Sequence, residues 1–300
     1  MIKLAVIGAS SMVGSRFANL AQNDFDLIES DLAGENPIDI TSPESVDDFF
    51  KNHDFDWVLL LSAYTDVDGA EKERDDKTGM CWKINVEGVK NVAAAAKKFG
   101  KKLIFVSTDF VFEGIEGPYL EDAPTSQNPE KISWYGLTKL EGENIILASL
   151  PDAIILRIAY PYRGKFDKKD DIVKRYLKLY RDKKMYPIFT DQIITPTFID
   201  DLVPAVKLLT EKEQKGIFHL VSPNPTTQFE FARKAIEVFG GDPNAVPKGT
   251  IVEFLKTPGV TPRPQKGGLK AEKITALGFT PTSWEKGIET IFKQSKGQLI

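Results

Sequence analysis

Two histidines, one cysteine and no long apolar run mark this 300-residue chain by their scarcity. The lone Cys81 leaves no internal disulfide framework and suits a reducing cytoplasm, where this reading places the protein. His53 and His219, with no C-x-x-C or H-E-x-x-H, supply no ligand set for zinc, so no metal is expected. The longest apolar run, Trp57 to Leu61 continuing through Ser62-Ala63, falls far short of the ~20 residues of a membrane span, and no membrane partner is expected. Met1 to Ala9 has one lysine and no small-residue cleavage signature, and reads as a strand rather than a signal peptide. A net charge of −4 gives no general attraction to nucleic acid. Repeats and low-complexity segments are absent too. What is present is ordinary for a soluble globular chain, 42% hydrophobic and 27% charged, long enough for one large domain or two small ones.

Apolar runs alternate with helical patterns from the start. Lys3 to Ile7 is a strand ending at Gly8; the turn Gly8-Ala9-Ser10-Ser11-Met12-Val13-Gly14 follows, then a helical pattern through Phe17, Leu20 and Ala21. Strand, glycine turn and helix is the setting in which free N–H groups at a helix start receive a pyrophosphate. Ser11 replaces the middle glycine of the usual G-x-x-G-x-x-G pattern but is still small. Asp31, after a second strand at Phe25 to Ile28, can accept hydrogen bonds from an adenosine ribose and repels a 2′-phosphate. It therefore favours NAD(H), with NADP(H) as the second choice. Trp57 to Leu61 reads as a parallel strand covered on both faces and delivers Ser62 to Asp68 to the ligand-holding edge of the sheet. A long helix is expected from about Lys77 to Phe99; its Asn85 is either a plain polar helix residue or an organiser of a site water or backbone carbonyl. Lys102 to Val106 brings Ser107-Thr108-Asp109 to the same edge, and Ala153 to Arg157 is a further strand. The alternation predicts an α/β fold, a Rossmann-like doubly wound parallel sheet.

Ser133-Trp134-Tyr135-Gly136-Leu137-Thr138-Lys139 opens another helix, with Tyr135 and Lys139 four apart on one face. A phenol ordinarily titrates near ~10, and a fixed ammonium beside it is expected to favour the phenolate. Thr108 can hydrogen-bond a substrate oxygen that Tyr135 protonates. The same spacing also arises by chance on amphipathic helices, so the pair alone decides nothing.

Gly8…Gly14, Ser107-Thr108-Asp109 and Tyr135-x-x-x-Lys139 together resemble the extended short-chain dehydrogenase/reductases. Within them the chain looks most like the dTDP-4-dehydrorhamnose reductases. The phrases that carry this are Asp39-Ile40-Thr41-x-Pro43-Glu44, Ala63-Tyr64-Thr65-x-Val67-Asp68, Ser107 to Gly114, Tyr119-x-Glu121-x-Ala123-Pro124, Tyr135 to Glu143 and Asp191-Gln192-x-x-x-Pro196-Thr197. The resemblance implies a nicotinamide cofactor across Gly8, Ser10, Ser11, Met12, Val13 and Gly14. Asp31, Asp39 and Ile40 would sit near its adenosine and Ser62, Ala63 and Tyr64 near its middle. Lys139 would hold the nicotinamide ribose, Tyr135 give the proton and Thr108 steady the carbonyl. Val67, Asp68, Asp109, Phe110, Tyr160 and Arg263 would face a nucleotide sugar. The activity implied is NAD(P)H-dependent reduction of a nucleotide-linked 4-keto-6-deoxy sugar. Alternatives are a nucleotide-sugar epimerase with tightly held NAD and a non-catalytic NAD(P)-binding regulatory subunit. Phe110 after Asp109 lacks the acid that the related 4,6-dehydratases place there, which argues against elimination.

The second half is interrupted. Residues 1–157 form the dinucleotide-binding domain, rejoined by about 197–222, and residues 158–196 with 223–300 form a smaller substrate-binding domain. Arg163 to Lys184 carries ten Lys/Arg and four Asp, either a basic wall for a nucleotide diphosphate or a solvated helix face. No nucleic-acid module accompanies it. The family implies a homodimer through the Lys77–Phe99 and Tyr135–Leu150 helices.

Overall fold

The apolar runs of the first half become neighbouring strands. The structure, a computed structural model, describes residues 1–299. The strands are β1 (Ile2–Ile7), β2 (Phe25–Asp31), β3 (Asn36–Pro37), β4 (Trp57–Leu60), β5 (Lys102–Thr108) and β6 (Ile154–Ile158). Two short strands, β7 (Ile188–Phe189) and β8 (Ile193–Ile194), lie outside this sheet, and β9 (Gly216–His219) returns to its edge. The order is β3-β2-β1-β4-β5-β6-β9, parallel throughout. Chain order reverses between β1 and β4, and a crevice at the carboxyl ends of such strands is where open α/β sheets take ligands.

The helices include α1 (Met12–Ala21), α2 (Pro43–Asn52), α3 (Val67–Glu71), α4 (Met80–Trp82), α5 (Val89–Phe99), α6 (Trp134–Ser149), α7 (Ile172–Arg181), α8 (Leu202–Glu211) and α9 (Gln228–Val238), with three more, Ile251–Leu255, Glu272–Ala276 and Trp284–Ser295, toward the C-terminus. Continuous apolar strands need cover on both faces. Ala5, Ile7, Val58, Leu60, Leu103 and Phe105 pack against Phe49, Val92 and Ile146 from α2, α5 and α6. Their alternates Leu4, Val6, Leu59 and Ile104 pack on the other face with Phe17 from α1 and Val206 from α8. A separate apolar cluster joins Tyr162, Val173, Tyr176, Phe231, Trp284 and Ile288 in the second half.

The helix expected from about Lys77 starts later and is not uniform. Asp76 accepts from both the Thr78 N–H and hydroxyl, at 2.8 and 2.6 Å, which bends residues 76–79 into a turn. The helix begins at Met80, and Lys83–Gly88 forms a wider π-helical turn before α5. Such a turn inserts one residue into the ladder, and here it presents the buried Asn85.

One polar cluster is sealed beneath the sheet. Arg157 in β6 donates to both oxygens of Glu143 in α6, at 2.9 and 2.6 Å, with both side chains 1% exposed. Arg157 Nη1 also lies 3.4 Å from Nε2 of the fully buried His219, whose Nδ1 donates to the Lys270 carbonyl at 3.0 Å. Burial, followed by the Arg157 charge, pulls the His219 pKa down to about 3. The unfolded chain binds that proton below about 6.5 and the folded chain does not. Stability contributed by the neutral ring is complete above pH 6.5 and is lost as pH falls toward 3. Urea midpoints measured across that window are expected to fall by an amount worth a few kcal/mol, and a flat profile down to pH 4 contradicts this.

Candidate active site

A crevice of about 850 Å³ opens along the carboxyl ends of the strands. Its first wall is the turn after β1. Gly8 has φ +95°, and a Cβ there would stand 2.7 Å from the Ser62 amide, so only glycine lets the turn lie against the end of β4. Ser11, at the place of the missing glycine, has a role of its own: its hydroxyl accepts from the Gly14 N–H at 3.0 Å and caps α1. Asp31 Oδ2 accepts from the Ser10 N–H and hydroxyl at 3.0 and 2.7 Å, and Oδ1 from the Leu32 N–H at 2.9 Å. Burial works against the charged carboxylate, but these hydrogen bonds and the nearby Lys168 hold its pKa below the ordinary value. Asp31 thus remains a carboxylate, and part of its accepting capacity is spent on bracing the turn.

The middle wall comes from β4. Asn85 accepts from the Tyr64 N–H at 2.9 Å and donates to the Tyr64 carbonyl at 3.1 Å and the Thr138 hydroxyl at 3.1 Å. Of the two sequence readings, organiser of a backbone carbonyl is the observed one. Asn85 ties the loop after β4 to α6, one residue from Lys139.

The far end holds the polar triad. Thr108 ends β5, and Tyr135 and Lys139 project from α6 into the same crevice. Gly136 makes this possible, since a side chain there would strike the Phe110 carbonyl and push α6 off the end of β5. The Phe110 ring meets the Tyr135 ring edge-on at 5.8 Å. Lys139, 2% exposed, donates to the Val106 carbonyl at 2.8 Å and stands over the Phe105 ring.

Electrostatics here correct one expectation. Lys139 does not draw the phenol toward ionisation. Burial drives the Tyr135 pKa far above its ordinary value; the neighbouring Thr108 hydroxyl opposes this, and the Asp109 charge adds to it. Burial also lowers the Lys139 pKa to about 7, with Glu143 opposing. Desolvation governs both shifts: Lys139 is buried and Tyr135 is half-buried against the Phe110 ring. The phenol is accordingly a held proton, suited to a general acid.

Of the residues singled out from the sequence, Gly8, Ser10, Ser11, Met12, Val13, Asp31, Asp39, Ile40, Ser62, Ala63, Val67, Thr108, Asp109, Phe110, Tyr135, Lys139, Tyr160 and Arg263 line this crevice. Three do not reach it. Gly14 sits behind the turn, and the Tyr64 ring packs with Ala70, Cys81 and Trp134. Asp68 is turned outward to accept from Thr261 at 2.7 Å and Arg263 at 2.6 Å. The two side chains expected to meet substrate separately are thus paired with each other. The basic segment is mostly a solvated, ion-paired face, as with Lys178 on Asp170, but Lys168, Lys169 and Arg175 line the crevice. Lys169 donates to Thr65 across it at 2.9 Å.

Sequence reasoning missed Gln228 and Tyr176. Tyr160, in the left-handed region at φ +41°, accepts from Gln192 at 3.3 Å; Gln228 donates to Gln192 at 2.5 Å and accepts from Tyr176 at 2.7 Å. These four come from separated segments, and no spacing in the chain signals their meeting.

Residues 2–296 match the family described as RmlD substrate binding domain. The chain belongs to that family. It is 30% identical to the dTDP-4-dehydrorhamnose reductase of Mycobacterium tuberculosis strain H37Rv over 297 residues, 96% of this chain and 91% of the relative. It is 30% identical to the spore coat polysaccharide biosynthesis protein SpsK of Bacillus subtilis, with 98% of each chain covered. Among solved structures it superposes on the dTDP-4-dehydrorhamnose reductase of Bacillus anthracis in complex with NADP, with TM-score 0.85, 28% identity, and 98% of this chain and 100% of that one covered.

Proposed function

We propose that this protein is an NAD(P)-dependent oxidoreductase that reduces the keto group of a nucleotide-linked 4-keto-6-deoxy sugar. The observation that carries this reading is the convergence of Thr108, Tyr135 and Lys139 at the far end of the crevice whose first wall is the Gly8 turn, within a family of named reductases. The crevice fits a dinucleotide: Gly8 leaves room for close backbone approach, and the Ser107 hydroxyl is buried without a partner on the crevice wall. Ser10 to Val13 hold the pyrophosphate at the start of α1, and Asp31, Asp39 and Ile40 take the adenosine end. Asp31 favours NAD(H) over NADP(H) because a carboxylate repels a 2′-phosphate. A bound reduced nicotinamide supplies the hydride. Tyr135 delivers its proton to the substrate oxygen, Thr108 steadies that oxygen, and Lys139 anchors the ribose.

Tyr160, Phe110, Asp109 and Arg263 form the sugar side, Arg263 through its partnership with Asp68. Residues 158–196 and 223–300 serve as the substrate-binding domain, supported by their separate apolar cluster, against a dinucleotide-binding domain of 1–157 rejoined by 197–222. The protein works as a cytoplasmic homodimer in this reading; among the described residues no helix is long and apolar enough to cross a membrane.

The test is an absorbance assay with NADH or NADPH and a dTDP-4-keto-6-deoxy sugar. Reduced cofactor is expected to disappear in step with formation of the 4-hydroxy sugar. Interconversion of sugars without net cofactor consumption, or no turnover with either cofactor, rejects the reductase reading.

A further inference from the structure

Four polar side chains at the substrate end of the crevice form a chain whose direction follows atom by atom. Gln192, just before β8, is fully buried, and its Nε2 donates to the Pro264 carbonyl at 2.8 Å. A backbone carbonyl only accepts, so the amide nitrogen of Gln192 must face it and the amide oxygen must face away. That oxygen accepts from Gln228 Nε2 at 2.5 Å, which turns Gln228 Oε1 toward the Tyr176 hydroxyl that donates to it at 2.7 Å. The second hydrogen on Gln192 Nε2 goes to the Tyr160 hydroxyl oxygen at 3.3 Å. An amide nitrogen does not accept, so Tyr160 cannot donate in return.

Tyr160 lines the crevice, and its hydroxyl makes no other hydrogen bond among the described residues. Burial raises its pKa, with the Asp109 charge adding and Arg263 opposing, so the hydroxyl keeps its hydrogen across the neutral range. The residue is held at φ +41°, a conformation that costs free energy for a side chain with a Cβ and persists where surrounding contacts impose it.

We infer that Gln192 is a positioning residue that sets Tyr160 as a hydrogen-bond donor to the sugar, so that the site selects a nucleotide sugar with an acceptor oxygen at that place. This deepens the reductase reading above and rests on its assignment of this end of the crevice to the sugar. A free tyrosine hydroxyl both gives and accepts. Here Gln192 occupies its accepting side, and only the giving side faces the ligand. A sugar hydroxyl meets that hydrogen with a lone pair. A deoxy carbon leaves the hydrogen without a partner, and an ammonium sets donor against donor.

The experiment is calorimetric titration of the full-length protein, loaded with oxidised cofactor, at pH 7. The probes are a dTDP-linked 6-deoxyhexose with all its ring hydroxyls and analogues with hydrogen or an ammonium in place of the C2 or the C3 hydroxyl. At one of these positions both replacements are expected to weaken binding roughly tenfold, about the worth of one hydrogen bond. In Tyr160→Phe both differences should vanish. In Gln192→Met the ammonium analogue should recover, because the freed Tyr160 oxygen accepts from it, while the deoxy analogue stays weak. A merely structural Gln192 gives no such split. The inference is overturned if neither position discriminates, if Tyr160→Phe keeps the differences, or if Gln192→Met leaves the ammonium penalty in place. Should Gln192→Met fail to fold, Tyr160→Phe decides: loss of both differences supports the inference and their retention rejects it. Binding is read without turnover, so the two readings fail separately. Cofactor consumption without discrimination removes only the role of Gln192 and Tyr160, and discrimination without turnover removes only the reduction.

Discussion

Tyr135→Phe is expected to lower turnover by roughly 10²–10⁴-fold, the range for a lost acid–base group, while cofactor affinity changes little. The phenol oxygen is the only part removed. The ring keeps its edge-on contact with Phe110, so the helix position and the crevice walls persist. Burial holds the phenol protonated across the neutral range, and phenylalanine has no proton to give. Steady-state assays beside cofactor titration by fluorescence separate the two quantities. Equal turnover in the variant, or equal loss of turnover and cofactor binding, contradicts the assigned role.

Arg157→Met is expected to destabilise the fold by roughly 3–5 kcal/mol, the cost of leaving a buried charge without its partner. Glu143 is 1% exposed and receives two hydrogen bonds from this one guanidinium. The residue lies one helical turn beyond Lys139, and its charge opposes the burial that lowers the lysine pKa. Removing the pair together, as Arg157→Met with Glu143→Leu, should recover much of the loss, because no charge is then left buried without a partner. Denaturant melts of the two variants beside the unchanged protein check this; a double variant no better than the single one contradicts it.

The main supports of the fold were readable from the chain. Leu4 to Ile7 and Trp57 to Leu61 are apolar without alternation, which requires cover on both faces, and both belong to central strands of the sheet. The Gly8 turn and Asp31 were readable for a local reason: strand, turn and acid lie close in sequence, and their geometry follows from short-range backbone constraints. Asn85 was visible as a polar residue in a helix, but its two hydrogen bonds to Tyr64 depend on a loop 21 residues away. The π-helical turn that aims it has no signature in residue spacing.

By itself the sequence determined the sheet, the glycine turn, the Tyr135–Lys139 pair on one helix face and the family resemblance, since each rests on periodicity or on residues a few positions apart. Only the tertiary structure decided how that pair behaves. Whether an ammonium or desolvation governs a phenol depends on what lies around both, and here packing against Phe110 and the end of β5 raises the Tyr135 pKa and keeps the phenol protonated. The same packing pairs Arg263 with Asp68, builds the Tyr160–Gln192–Gln228–Tyr176 chain and sets Asp109 behind Thr108. Those contacts join residues far apart along the chain, where side-chain chemistry carries no record of its neighbours.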